Sequence, residues 1–141
     1  MLPVFPRRTI AVLSTVDPAP HAIPVSAPVR AGDKTILLSL HRSRDSLARL
    51  RANPAVALTV LAEGDLAFTA RGRAHVIRDA LESDPEYAGV AIEVEHVDDH
   101  RQPSFAVTGG VDREWRDNAE KRRLGGRVEE LTGRNPAGAR G

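Results

Sequence analysis

For most of its length the chain alternates short apolar runs with turn signals, and only two stretches replace that rhythm with a helical period. Residues 9–16 (TIAVLSTV) read as a strand, and Asp17-Pro18-Ala19-Pro20 is a turn by composition. Residues 21–29 (HAIPVSAPV) read as the returning strand. Pro24 and Pro28 cannot donate to a ladder, so this strand is an edge, or is bulged or bent. After the turn Ala31-Gly32-Asp33, residues 35–40 (TILLSL) form a short apolar run that predicts a well-buried strand. Residues 56–61 are a fourth strand, joined through Glu63-Gly64-Asp65 to a long fifth over 66–77. Gly72, in the middle of the fifth, predicts a bulge or a close backbone approach. Residues 79–89 are polar, contain Pro85 and read as a loop. The sixth strand, 90–97 (VAIEVEHV), puts Val90, Ile92 and Val94 on one face and Glu93 and Glu95 on the other. Residues 105–108 are a short seventh.

The first helical stretch, LHRSRDSLARLRANP over residues 40–54, interrupts the strands. Ser43 is placed to cap it, and Asp45 in the first turn favours the positive end of its dipole. Leu47 and Leu50 share a face that packs on the sheet, while Arg44, Arg49 and Arg51 project elsewhere. Asn53 suits a left-handed stop and Pro54 forbids continuation. A short basic helix contributes little core. It does bring a helix N-terminus, a hydroxyl and arginines to a sheet edge, where an anionic group can bind. The second helical stretch starts from Asp112 as cap and carries Trp115, Leu124, Val128 and Leu131 as apolar positions, with Gly125-Gly126 weakening it. Residues 132–141 read as a loose tail.

The element order predicts a mainly β fold: a small antiparallel barrel of six to seven strands, with one inserted helix and a C-terminal helix. A chain of 141 residues is most simply one domain, 1–141, with a core over about 9–108 and a helical segment over about 112–132. With 41% hydrophobic and 28% charged residues, dominant disorder is excluded. The absence of cysteine excludes disulfides, thiolate catalysis and Cys-ligated metal centres. No apolar run approaches the roughly 20 residues of a membrane span, and the start MLPVFPRRTIAVL lacks the pattern of a signal peptide. A cytoplasmic protein without a membrane partner is the expectation. A net charge of +1 and 4% aromatics argue against nucleic acid, since few side chains are left to stack on bases. So small and aromatic-poor a barrel is expected to gain burial by dimerising.

No Ser-His-Asp arrangement, P-loop or dinucleotide-binding glycine motif is present. Redox chemistry here would belong to a bound cofactor. The five histidines, His21, His41, His75, His96 and His100, form no zinc-like pair. Asp98, Asp99 and His100 read as a solvated turn that can at most chelate weakly.

Three ordered segments carry a family resemblance. IAVLSTVDPAPHAIPV resembles the opening hairpin of the FMN-binding split-barrel superfamily, which includes pyridoxamine 5'-phosphate oxidases and F420-dependent reductases. ILLSLHRSRDSLARLRANPAVALTV resembles its third strand, phosphate-site helix and fourth strand, and LAFTARGRAHVI its fifth strand, ending Ala70-Arg71-Gly72-Arg73-Ala74. Together they cover about half of the chain, residues 10–77.

The resemblance implies a homodimeric split barrel with a flavin or deazaflavin, FMN or alternatively F420, at the subunit interface, acting by hydride transfer on a small-molecule substrate. It implies that Ser43 and Arg44 hold the cofactor phosphate. The family's next residue is a lysine; here it is Asp45, so one cation is lost and Arg42 or Arg49 is left to supply it. Ser43 is equally placed as a plain helix cap, and Arg44 as a solvated helix residue. Pro24, Val25 and Ser26, with Leu38, Ser39 and Leu40, are implied to meet the ring edge; Ser26 and Ser39 also fit outward-facing strand positions. Arg71 is placed to reach a phosphate or ring carbonyl, or to lie on the surface. Trp115 is placed to close the partner's site, or to anchor the last helix. DDHRQPSFAVTGGVDREW does not match the expected pyridoxamine-phosphate oxidase ending, which argues against vitamin B6 oxidation. The near-absence of lysine, with only Lys34 and Lys121, makes the basic residues almost all arginine and would suit the acidic tail of F420. The alternative is a non-catalytic flavin- or haem-binding carrier or sensor, with His41 or His75 as axial ligand.

Overall fold

The computed structural model describes residues 2–133. Seven antiparallel strands form one curled half-barrel sheet, and two helices accompany it. The strands are β1 (Ile10–Thr15), β2 (His21–Ser26), β3 (Val29–Arg30), β4 (Thr35–His41), β5 (Ala55–Ala62), β6 (Leu66–Arg78) and β7 (Tyr87–Asp99), in the spatial order β2-β1-β5-β6-β7-β4-β3. The helices are α1 (Asp45–Ala52), between β4 and β5, and α2 (Asn118–Leu131) at the end.

Alternation sets which face is buried. Ile36, Leu38 and Leu40 of β4 point inward, as do Val56, Leu58 and Val60 of β5. Leu13, Ile36, Leu38, Leu58, Val60 and Ile92 are each 1% exposed or less, so the barrel interior is a filled aliphatic core. Each such side chain contributes roughly 1.5–3 kcal/mol of burial. Leu47 and Leu50 of α1 join that core. None of the described helices is long and apolar enough to cross a membrane.

Several elements differ from the pattern-based reading. The returning strand over 21–29 is two strands, broken at Ala27, whose φ of 49° is left-handed. There its amide donates to Thr9 O at 3.1 Å, and Pro28 follows. The short strand expected at 105–108 is absent: only an isolated bridge joins Gln102 to Phe105, whose side chain is 61% exposed. Strands β6 and β7 are already paired on both sides, so no adjacent edge is free for it. The segment instead ties to the β5–β6 turn, where Asp65 N–H donates to Val107 O and Val107 N–H to Asp65 Oδ1. Strand β7 begins three residues before the expected 90 because Ser39, Leu40 and His41 extend its pairing with β4 to Gly89, Ala88 and Tyr87.

The helix caps also differ. Arg44, not Ser43, is the extended residue before α1, and no side chain caps that end. Asn53 is extended rather than left-handed (φ −144°); its Oδ1 accepts from Ala55 N–H while Pro54 stops the helix. The last helix begins at Asn118, capped by Asp117 and not Asp112, so Trp115 precedes it, and Gly125-Gly126 lie inside it without breaking it. Most of the expected tail, residues 134–141, lies outside the described residues.

Helix α2 is fastened at its C-terminal end. The Glu130 carboxylate accepts from Glu82 N–H (2.9 Å), Ser83 N–H (2.8 Å) and the Ser83 hydroxyl (2.6 Å). Burial pushes the Glu130 carboxyl up, but the Ser83 hydroxyl, the two amides and the Arg78 charge outweigh it and hold the group below its ordinary value. A carboxyl lowered by folding takes its proton more readily in the unfolded chain. The anchor is therefore complete above the ordinary glutamate range near ~4.3 and is lost as pH falls through the lowered value. Glu130→Gln is expected to loosen α2 at neutral pH and to remove the acid-dependent loosening expected of the wild type. Hydrogen exchange of the α2 amides measures both. Losing a charge-assisted bond of about 1.5–3 kcal/mol speeds exchange by roughly one to two decades, and unchanged protection would place the anchor elsewhere.

Candidate functional site

The half-barrel leaves a split where β2 and β4 approach each other beside the start of α1. Residues Ile23 to Ser26 of β2 line one wall of this cleft, and Ser39, Leu40 and His41 of β4 the other. Arg44, Tyr87, and Leu124 and Arg127 of α2 complete the lining. The cavity is about 100 Å³. That is well under the roughly 300 Å³ at the lower end of small-molecule pockets, and suits a group the size of a phosphate. On its β2 wall Pro24 and Ser26 are exposed, and β2 is an edge strand.

Of the twelve residues singled out in the sequence, the structure gathers Pro24, Val25, Ser26, Ser39, Leu40 and Arg44 around this one cleft. Leu38 is fully buried in the core and does not line it. Ser43 sits beside it: its hydroxyl lies 2.7 Å from His41 Nδ1, which also accepts from the Ser43 amide at 3.2 Å. Nδ1 is thereby an acceptor, so the neutral ring carries its proton on Nε2. Arg42 lines a neighbouring hollow with Arg51, Asp79 and Glu86. Arg49 turns toward Asp45 (2.7 Å) and Ala19 O (3.2 Å). The hydrogen bond and charge of Arg49 hold the Asp45 carboxyl below its ordinary range, so the anion at this helix start is already matched. Arg71 pairs through two nitrogens with Asp98 on the exposed face of β6, away from the cleft. Trp115 is half-buried beneath the Arg113 guanidinium, 5.3 Å from its ring centre, and does not line its own chain's cleft.

Tyr87, Asp84, Leu124 and Arg127 are the residues that sequence reasoning missed. Arg127 is 6% exposed. Its guanidinium lies 3.6 Å over the Tyr87 ring, donates from Nη1 to Asp84 Oδ2 at 2.7 Å, and from Nε to Ser39 Oγ at 3.2 Å. The Tyr87 ring also meets His41 in an edge-to-face arrangement, with ring centres 5.1 Å apart. A signal was available: Arg127 lies three residues after Leu124 and four before Leu131, so it is an arginine on the apolar face of its helix. The other hollows are wider, but in the one beside Pro6, Thr9 and Gly110 the lining Arg8 and Glu63 are paired with each other, which leaves the Asp112 carboxylate as its remaining charge. Among the described residues, no three His, Asp or Glu side chains gather as a metal site.

The model of the pyridoxamine 5'-phosphate oxidase family matches residues 1–110. The chain belongs to this family. No curated protein matches it in sequence. Among solved structures it is similar to a putative pyridoxamine 5'-phosphate oxidase from Listeria innocua, at 18% identity and a TM-score of 0.55, over 66% of this chain and 89% of that one. It is also similar to an F420 reductase (18%, TM-score 0.55, 67% and 92%) and to a FAD-binding protein from Mesorhizobium loti (16%, TM-score 0.52, 63% and 81%). At these identities the likeness is one of fold. The part that matches the pyridoxamine 5'-phosphate oxidase family holds all seven strands and α1, and ends before α2, so Leu124 and Arg127 reach the cleft from outside it.

Proposed function

We propose that the protein is a flavin- or deazaflavin-dependent oxidoreductase that carries out two-electron hydride transfer on a small molecule, with FMN as cofactor and F420 as the alternative. The observation that carries this reading is the convergence of β2, β4 and Arg44 on one phosphate-sized cleft at the split of the barrel. The cofactor phosphate enters there, with Arg44 as its cation and the Ser43 hydroxyl nearby. The ring is too large for the cleft and would be met by the exposed Pro24 and Ser26 of β2, with a second subunit as its cover. When bound, the ring supplies the hydride chemistry. The chain's own residues hold the phosphate, present strand backbone to the ring edge and exclude water.

The second reading, a non-catalytic flavin carrier or sensor, is favoured by the lining itself, in which no Asp, Glu or Lys stands beside His41. Turnover separates the two. FMN, F420 and riboflavin are titrated into the purified chain, and a bound cofactor is then tested for reduction and reoxidation by small acceptors. Binding with turnover supports the enzyme and binding without it the carrier. A chain that binds neither FMN nor F420 overturns both. Sedimentation at micromolar concentration is expected to give twice the 15.2 kDa chain mass, and a monomer would remove the shared ring site.

A further inference from the structure

Asp45 stands where the family resemblance puts a cation, and Arg49 neutralises it along the helix rather than toward the cleft. The cleft is not short of positive charge, because a second arginine arrives from a different element. Arg127 is held on three sides. The Tyr87 ring fixes the plane of its guanidinium, Asp84 takes Nη1, and Ser39 takes Nε. Asp84 does not line the cleft, whereas Arg127 and Ser39 do. The ion pair therefore lies behind the guanidinium. Among the described residues, Nη2 has no protein partner. The ion pairs of α1 occupy Arg49 and Arg51 and leave the Arg44 guanidinium without a carboxylate.

Arg44 brings a charge with no carboxylate partner and Arg127 a free Nη2 to one cavity of about 100 Å³, so an oxyanion in it would find both a cation and an aimed donor. The immobilised fork of Arg127 is also preorganised, so little side-chain freedom is lost when an oxyanion meets it. Asp84 is a positioning residue in this arrangement. Its charge reduces the long-range pull of Arg127, but its bond aims the fork.

We propose that the cleft is a two-arginine phosphate-ester site, in which Arg127 of α2 supplies from outside the family's shared fold the second contact that Asp45 does not. The proposal rests on the flavin reading for the identity of the ester, though not for the phosphate. It makes α2 part of the binding site rather than a surface appendage. The Glu130 anchor then also positions the site, since it holds the helix that carries Arg127.

The test titrates inorganic phosphate, FMN, F420 and riboflavin into the full chain and into Arg127→Met. Asp84→Asn/Arg127→Met is run beside it, because the single substitution leaves the Asp84 carboxylate buried without its cation and can unfold the chain on that account alone. Calorimetry reads affinity, and the double variant carries the conclusion if the single one does not fold. The wild type is expected to bind the phosphate-bearing cofactor more tightly than riboflavin. The variants are expected to bind it about tenfold to a hundredfold less tightly, with riboflavin unchanged. A wild type that binds inorganic phosphate but no flavin or deazaflavin, with phosphate binding lost in the variants, upholds this site and overturns the flavin reading. FMN and riboflavin binding the wild type equally would overturn the site and leave the flavin reading standing. Equal affinity of wild type and double variant for the phosphate-bearing ligand overturns it, as does a loss shared by FMN and riboflavin. A wild type that binds neither phosphate nor either phosphate-bearing cofactor overturns it as well.

Discussion

Gly72→Ala is expected to be the most damaging single methyl that can be added to this fold. A Cβ at that position would stand 1.9 Å from Glu93 O, 2.8 Å from the Glu93 carbonyl carbon and 3.0 Å from Val94 Cα. All three are backbone atoms of the neighbouring strand, so no side chain can swing aside. The register between β6 and β7 shifts at this point, between Arg71 and Gly72, and the glycine is what lets the two strands close over the irregularity. Relief requires the strands to part where Ala70, Ala74 and Ile92 belong to the core. Overpacking of this kind costs about 3 kcal/mol or more. At roughly 3 °C per kcal/mol for a chain of this size, the melting point is expected to fall by about 10 °C. Thermal unfolding followed by circular dichroism measures it. A variant melting within about 2 °C of the wild type would show that the bulge can move along the strand.

Arg44→Ala is expected to have the largest effect on binding within the family's own part of the fold. The residue lies at the extended position before α1, borders the cleft and has no carboxylate of its own. Removing its charge-assisted contact to a phosphate is worth about 1.5–3 kcal/mol, or roughly one to two decades in the FMN dissociation constant. Riboflavin, without the phosphate, is expected to bind wild type and variant alike. Because Arg44 is exposed, the loss is larger at low salt, where screening is weak. Its side chain makes no hydrogen bond or ion pair among the described residues, so stability is expected to be unchanged. Measuring both dissociation constants at two ionic strengths checks the assignment, and an unchanged FMN constant would move the phosphate to another part of the molecule.

The strands were legible in the sequence wherever alternation or an apolar run was uninterrupted. Residues 35–40, 56–61 and 66–77 became β4, β5 and β6 with no boundary more than one residue out. Reading failed where long-range contacts set the outcome. The 105–108 segment has strand composition, but the sheet beside it was full. Ala27 carries no sign of a left-handed backbone; that conformation comes from the amide bond to Thr9 and the proline that follows. Ser43 has the chemistry of a cap, but His41, two residues earlier, claims its hydroxyl. The cleft was legible from β2, β4 and α1, since the family's motif lies in local sequence. Its other half was not, because Arg127 meets Asp84 and Ser39 across 43 and 88 residues of chain.

Strands β2 and β3 are the first and last members of the sheet, yet only Ala27 and Pro28 separate them along the chain. The two rims of the half-barrel are thus one short length of backbone, turned over at a kink. One rim is interrupted by Pro24, which has no N–H to offer, and the other is two residues long. Neither gives an incoming strand more than a few peptide groups to pair with, so the molecule is poorly suited to growing by strand addition and correspondingly protected from edge-to-edge aggregation. A second copy would therefore meet it through side chains, those of Pro24 and Ser26 on β2 included, rather than through strand pairing. The tightness of such a pair would then be set by shape and apolar contact, and not by backbone hydrogen bonds across the rims.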